Sequence, residues 1–78
     1  MNDIINGHKV VATFTTSSGL GLRAGRLILV DRGDNSDMRW VSSWQGQGDD
    51  EWSQGHYFAD FVEARDHFLA ACGKRSRL

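Results

Sequence analysis

The sequence has little or nothing of two residue types that often constrain a small fold, since it has a single cysteine and no proline. One cysteine excludes a disulfide within the chain and is more typical of a reducing compartment than of a secreted scaffold. No apolar run approaches the length of a membrane span, and the polar start Met1-Asn2-Asp3 does not resemble a signal peptide. We therefore expect a cytoplasmic protein with no membrane partner.

The chain also lacks an excess of either charge, because nine basic residues stand against ten acidic ones and the net charge is −1. Nucleic-acid binders usually carry a clear basic excess, so this balance argues against direct nucleic-acid binding. It equally argues against a strongly acidic mimic of DNA. The length of 78 residues predicts one small domain over 1–78, with residues 74–78 as a frayed basic tail.

Three β-rich segments precede one helical segment. The predicted strands cover residues 8–16, 20–30 and 38–45, and a polar loop follows at 46–54. The predicted helix covers 59–72, and Gly73 is expected to stop it. Consecutive hairpins form an antiparallel meander. The expected fold is therefore α+β: a three-stranded antiparallel β-meander followed by one C-terminal helix packed on one sheet face (β-β-β-α).

The predicted strands carry apolar side chains on both faces. In Leu27-Ile28-Leu29-Val30, successive side chains point to opposite sides of the sheet. One helix covers only one face, so the other face is expected to meet a protein partner or a second copy of the chain, or to form an unusually apolar solvent surface. The side chains assigned to this outer face, and to a homodimer contact through it, are Val11, Ile28, Val30 and Val41.

The sequence offers little that indicates catalysis or metal binding. Cys72 lies on the apolar arc of the predicted helix, which is typical of an inert core thiol. The three histidines lack the spacing of a zinc motif, and His67 and Cys72 do not share a helix face well. We therefore predict no metal, no cofactor and no enzymatic activity.

The tryptophans and one arginine each allow two interpretations. Trp40, Trp44 and Trp52 either belong to the core, as large apolar side chains of small domains do, or form a contact or stacking surface. Arg65 falls near the middle of the apolar helix arc. Its stem either packs while its head reaches solvent, or its charge is buried with an acidic partner or presented to another protein.

Two segments carry a resemblance to known proteins. Residues 55–58 read Gly-His-Tyr-Phe, and the following helix has the pattern F-x-x-A-x-x-x-F from Phe61 to Phe68. With Trp40-Val41-Ser42-Ser43-Trp44 before them, they resemble a layout of small orphan proteins encoded by phages and mobile elements. Some of those proteins are anti-CRISPR proteins, which bind a defence complex in the host cytosol and block it. The resemblance implies a non-enzymatic inhibitor, and it assigns no residue roles.

Two functions follow as hypotheses. The first is a binding protein that occludes a host nucleoprotein complex, using the outer sheet face and the acidic loop of Asp49, Asp50 and Glu51 beside Trp52. The second is a small nucleic-acid-binding module that uses the tryptophans and an arginine stripe. The stripe would consist of Arg23, Arg26, Arg32 and Arg39.

Overall fold

The computed structural model describes residues 3–16 and 24–76 and shows five strands followed by one helix. All neighbouring strands pair antiparallel, in the order β1-β2-β3-β4-β5. The elements are β1 (Ile4–Ile5), β2 (His8–Thr16), β3 (Gly25–Asp31), β4 (Trp40–Gly46), β5 (Ser53–Phe58) and α1 (Phe61–Ser76).

The α+β class, the antiparallel sheet and the C-terminal helix are confirmed, but the prediction of three strands is wrong. The first additional strand, β1, is two residues long and joins β2 through Asn6 and Gly7. Both turn residues have positive φ, 53° and 78°, as a type I′ hairpin turn requires. This Asn-Gly pair therefore adds an edge strand ahead of the predicted meander.

The second additional strand, β5, occupies the end of the predicted polar loop. Trp44 pairs with Ser53 and Ser42 pairs with His56, so β5 holds one more residue than β4 between these pairs. Gln54 lies in this bulge with a φ of 55°. The bulge and the polar composition of β5 hide the alternating apolar pattern by which strands are recognised.

The helix begins after Asp60, whose Oδ1 accepts a hydrogen bond from the Val62 amide at 3.3 Å. It continues through Gly73 to Ser76, so the predicted stop at Gly73 is wrong, and residues 77–78 of the predicted tail over 74–78 lie outside the described residues. Gly73 has no positive φ and sits inside the helix. No helix within residues 3–16 and 24–76 is long and apolar enough to cross a membrane.

The helix covers one face of the sheet, where it packs against β3, β4 and β5. A buried cluster forms there between alternate strand residues and the inner side of α1. Its members are Leu27, Leu29, Trp44, Ala64 and Phe68. Ala12 and Phe14 of β2 and Cys72 of the helix are partly buried against it.

The opposite face of the sheet has its own buried cluster. Ile28, Val30 and Val41 are 0% exposed there, and Ile5 and Val10 complete the cluster. Trp52 packs against it from the connection before β5. The expectation that Ile28, Val30 and Val41 are open to a partner is therefore wrong, because the chain itself encloses them, and Ile5 of β1 and the half-buried Trp52 pack in the same cluster.

A bulge in β2 decides which valine joins this outer cluster. Val10 pairs with Val30 and Ala12 pairs with Leu29, so Val11 is the extra residue between them. The bulge reverses the alternation, which places Val10 on the outer face and leaves Val11 41% exposed. The assignment of Val11 to the outer face together with Ile28 and Val30 is corrected accordingly.

Truncating a residue of the outer cluster is predicted to destabilise the isolated chain. Ile28→Ala should lower the free energy of unfolding by about 2–5 kcal/mol, because it leaves a cavity in a fully buried site. Val11→Ala, in the exposed bulge of the neighbouring strand, should change it by less than about 0.5 kcal/mol. Urea unfolding followed by circular dichroism measures both values, and equal effects would contradict the two-sided core.

Replacing Gly73 is predicted to stabilise the protein. A Cβ built at Gly73 meets no atom within 4 Å, and the residue is helical without a positive φ. Gly73→Ala should therefore raise the free energy of unfolding by about 0.5–1 kcal/mol, since alanine costs less backbone entropy in a helix. A lower thermal midpoint in Gly73→Ala would show that the helix ends before this position.

Candidate functional site

The acidic loop, residues 48–51, stands at the tip of the hairpin between β4 and β5. Asp49, Asp50 and Glu51 are all exposed. Backbone geometry orders the tip, because Gly48 has a φ of 86° and the Asp49 amide donates to the Gly46 carbonyl at 3.0 Å. The carboxylates predicted to contact a partner therefore lie together on the surface.

A short network joins the acidic loop to the sheet. The Gln45 Nε2 donates to the Asp49 carbonyl at 2.8 Å, and the Arg26 Nε donates to the Gln45 Oε1 at 2.8 Å. The Gln47 amide donates to the Ala24 carbonyl at 3.0 Å. The loop thus keeps a defined position relative to β3 and β4.

Trp52 follows the acidic loop but serves mainly as part of the fold. Its ring is half-buried against the outer cluster, and its Nε1 donates to the Tyr57 hydroxyl at 3.2 Å. Gly55 makes this approach possible, because a Cβ there would lie 2.9 Å from Tyr57 Cε1 and 3.3 Å from Trp52 Nε1. Of the two interpretations, core packing describes Trp52 better.

The remaining predicted contact residues divide into buried and exposed. Ile28, Val30 and Val41 are enclosed within the chain and present no side-chain surface to a partner or to a second copy. Val11 is exposed on β2. The structure therefore does not join the outer-face residues and the acidic loop into one accessible surface.

The structure excludes a buried charge at Arg65. The side chain is exposed, and its nearest acidic partner is the adjacent Asp66, at 3.1 Å between Nη2 and Oδ1. Val62 and Leu69, three residues before and four residues after, are exposed on the same side of α1. Arg65 is therefore presented to solvent on a partly apolar helix face.

Carboxylates neutralise much of the predicted arginine stripe. Arg26 pairs with Asp3, and Arg39 pairs with Asp31 at 2.7 Å and with Asp34. These hydrogen bonds hold the pKa values of Asp3 and Asp31 below their ordinary value. Arg23, also assigned to the stripe, lies outside the described residues.

The other stripe and tryptophan residues are also engaged within the fold. The Arg32 guanidinium lies 5.1 Å from the Tyr57 ring centre, and its Nη1 donates to the Met38 carbonyl. Trp44 is buried in the helix-side core. Trp40 is half-buried, with Phe61 packed edge-on at 4.7 Å and Arg39 over its ring. These rings form no open stacking platform.

A polar cleft that the sequence did not indicate lies beside the helix. His67 of α1 and His56 of β5 bring their ring centres to 4.3 Å, and His67 Nδ1 lies 2.9 Å from Ser42 Oγ. Ser42 and His67 are 25 positions apart, so only the packing of α1 on β4 brings them together. We call this the histidine cleft; it has a volume of about 250 Å³.

The histidine cleft does not have the geometry of a serine hydrolase. Ser42 is only 2% exposed, so its hydroxyl is not open to an incoming carbonyl. The side chain beside His67 is the imidazole of His56, whereas a catalytic triad has a carboxylate at this position. No three metal-ligating side chains converge within the described part of the chain. What the cleft offers is a set of polar groups around an accessible space.

Burial lowers the pKa of His67 from its ordinary value of 6.5, and the nearby His56 and Lys74 lower it further. His67 is therefore held in its neutral form more strongly than a solvent-exposed histidine. Its neutral ring forms a hydrogen bond with the Ser42 hydroxyl through Nδ1.

No protein-family model, curated protein or solved structure matches this chain.

The lowered pKa of His67 predicts a pH-dependent stability. Below about pH 6.5 the unfolded chain binds a proton at His67 more readily than the folded chain does, so the free energy of unfolding should fall as the pH falls. His67→Gln should flatten this dependence between about pH 5 and pH 7.5 in urea titrations. His8→Gln, a control outside the cleft, should retain it. An unchanged slope in His67→Gln would contradict the assignment.

Proposed function

We propose that the protein is a non-enzymatic binding protein whose acidic loop engages a positively charged surface of a protein partner. The observation that carries this proposal is the exposure of Asp49, Asp50 and Glu51 together on an ordered hairpin tip. A pre-ordered loop loses little conformational entropy on binding, and its carboxylates accelerate the encounter with a basic surface.

The location of the acidic loop supports this proposal. The hairpin that ends in the loop also carries Trp52, whose ring packs into the outer cluster and fixes the base of the loop. Changes to the carboxylates should therefore affect binding without disturbing the core. The loop works as a surface feature on a scaffold that is stabilised elsewhere.

The partner surface that suits this loop is one rich in arginine and lysine, such as a protein groove that otherwise holds nucleic acid. A defence complex of the CRISPR type presents such a groove and is the target class that the sequence resemblance implies. Occupation of the groove by the acidic loop would exclude the nucleic acid sterically. This complex is the first partner to test.

The alternative of a nucleic-acid-binding module receives less support. Arg26 and Arg39 are paired with carboxylates of the same chain, and Arg32 lies over Tyr57. Displacing those carboxylates would cost part of the electrostatic gain on binding a phosphate backbone. Trp44 is also buried, so it is not available for base stacking.

The proposal predicts that the carboxylates of the loop determine affinity. The variant carries Asp49→Asn, Asp50→Asn and Glu51→Gln, and its affinity for the captured complex should fall about tenfold or more at low salt. Increasing salt should reduce the difference, because it screens exposed charges. The assay captures CRISPR-type complexes from a bacterial lysate with tagged protein and then measures affinity with the purified complex.

A second variant with the same change in net charge provides the control. It neutralises exposed carboxylates elsewhere, at Asp37, Glu63 and Asp66. This control should retain most of the affinity. An equal loss of affinity in both variants would show that net charge, rather than the acidic loop, determines binding. Undiminished binding by the loop variant would show that the loop is not the contact site.

A further inference from the structure

We propose that the histidine cleft binds a small organic anion, with its acidic group between His56, His67 and Lys74 and its apolar part against Trp44 and Leu27. This inference rests on the side chains that line the cleft, and it holds whether or not the acidic loop binds a protein.

The charge of the lining selects for an anion. The polar side chains around the cleft are Ser42, Gln54, His56, His67 and Lys74, and none of the described residues that line it is a carboxylate. Lys74 supplies a cation, while imidazole, amide and hydroxyl groups supply hydrogen-bond donors. A cationic ligand would meet the lysine without a compensating negative charge.

The size and the apolar wall restrict the anion to a small organic one. Leu27, Trp44, Ala70 and Ala71 form the apolar part of the lining. A cavity of roughly 150 Å³ holds a benzene ring, so the volume of about 250 Å³ leaves room for a ring and one acidic group. An inorganic ion alone would leave the apolar wall unused.

One hydroxyl group supports a binding role for this cleft. Ser43 pairs with Ile28, so its hydroxyl lies on the outer face of the sheet, whereas Ser42 pairs with Leu29 and faces the helix. The Ser42 hydroxyl holds the His67 ring at 2.9 Å and thereby fixes one donor in advance.

The charged neighbours of His67 predict how binding depends on pH. His56 faces it from β5 and Lys74 from the next turns of α1, while β4 contributes only the uncharged Ser42. Glu63, one turn earlier on α1, is not part of the cleft lining. A bound anion offsets the effect of His56 and Lys74 on the pKa of His67 and favours protonation of that ring. Binding should therefore strengthen as the pH falls.

The test uses the full chain and phenyl phosphate, an aromatic ring with one anionic group. Nuclear magnetic resonance of the histidine side chains follows the titration, with benzoate, inorganic phosphate and benzylamine as comparison ligands. Phenyl phosphate and benzoate should both shift the His56 and His67 signals saturably. Benzoate, whose charge does not change over this range, should bind at least about threefold more tightly at pH 5.5 than at pH 7.5. Inorganic phosphate should bind more weakly, and benzylamine should produce no saturable shift.

Lys74→Gln tests the role of the cation, and Lys9→Gln changes the only other lysine of the chain. Lys74→Gln should weaken binding about tenfold through the loss of a charge-assisted hydrogen bond, and Lys9→Gln should leave it unchanged. Absence of saturable binding by both aromatic anions, equal affinity in the two variants, or equal binding of benzylamine would overturn the proposal. Stoichiometric perturbation of both histidines by zinc alone, without anion binding, would overturn it in favour of a metal site.

Discussion

The fold depends on covering a sheet that is apolar on both faces. Ile28 and Val30 point away from the helix and Leu27 and Leu29 point towards it, and all four are buried. The helix explains the burial of Leu27 and Leu29 only. The other pair is also enclosed within the chain, in a cluster that includes Ile5 of β1 and Val10 and against which Trp52 packs.

The β4–β5 hairpin contributes both to the outer cluster and to the two candidate binding regions, the acidic loop and the histidine cleft. The β4–β5 hairpin carries the acidic loop at its tip and places Trp52 on the outer cluster immediately after it. The bulge at Gln54 and the missing side chain at Gly55 let Trp52 and Tyr57 meet. On the other face, β5 also supplies His56 to the histidine cleft.

The sequence predicted well what depends on local pattern. The β2 segment is predicted with its observed bounds, and the helix class follows from its apolar spacing. The prediction of three strands missed β1, although Asn6-Gly7 is a strong hairpin signal. The bulge at Val11 was not readable, because alternation alone does not show where a ladder gains a residue. The contact between Ser42 and His67 joins distant segments and was equally hidden.

The most direct test of the two-sided core is whether the chain folds stably as a monomer. Sedimentation equilibrium gives the mass, and thermal unfolding over a roughly hundredfold range of protein concentration shows whether folding is coupled to association. Our account predicts a monomer whose unfolding midpoint does not depend on concentration. A dimer whose midpoint rises with concentration would show that the fold depends on a second copy and would contradict a core completed within one chain.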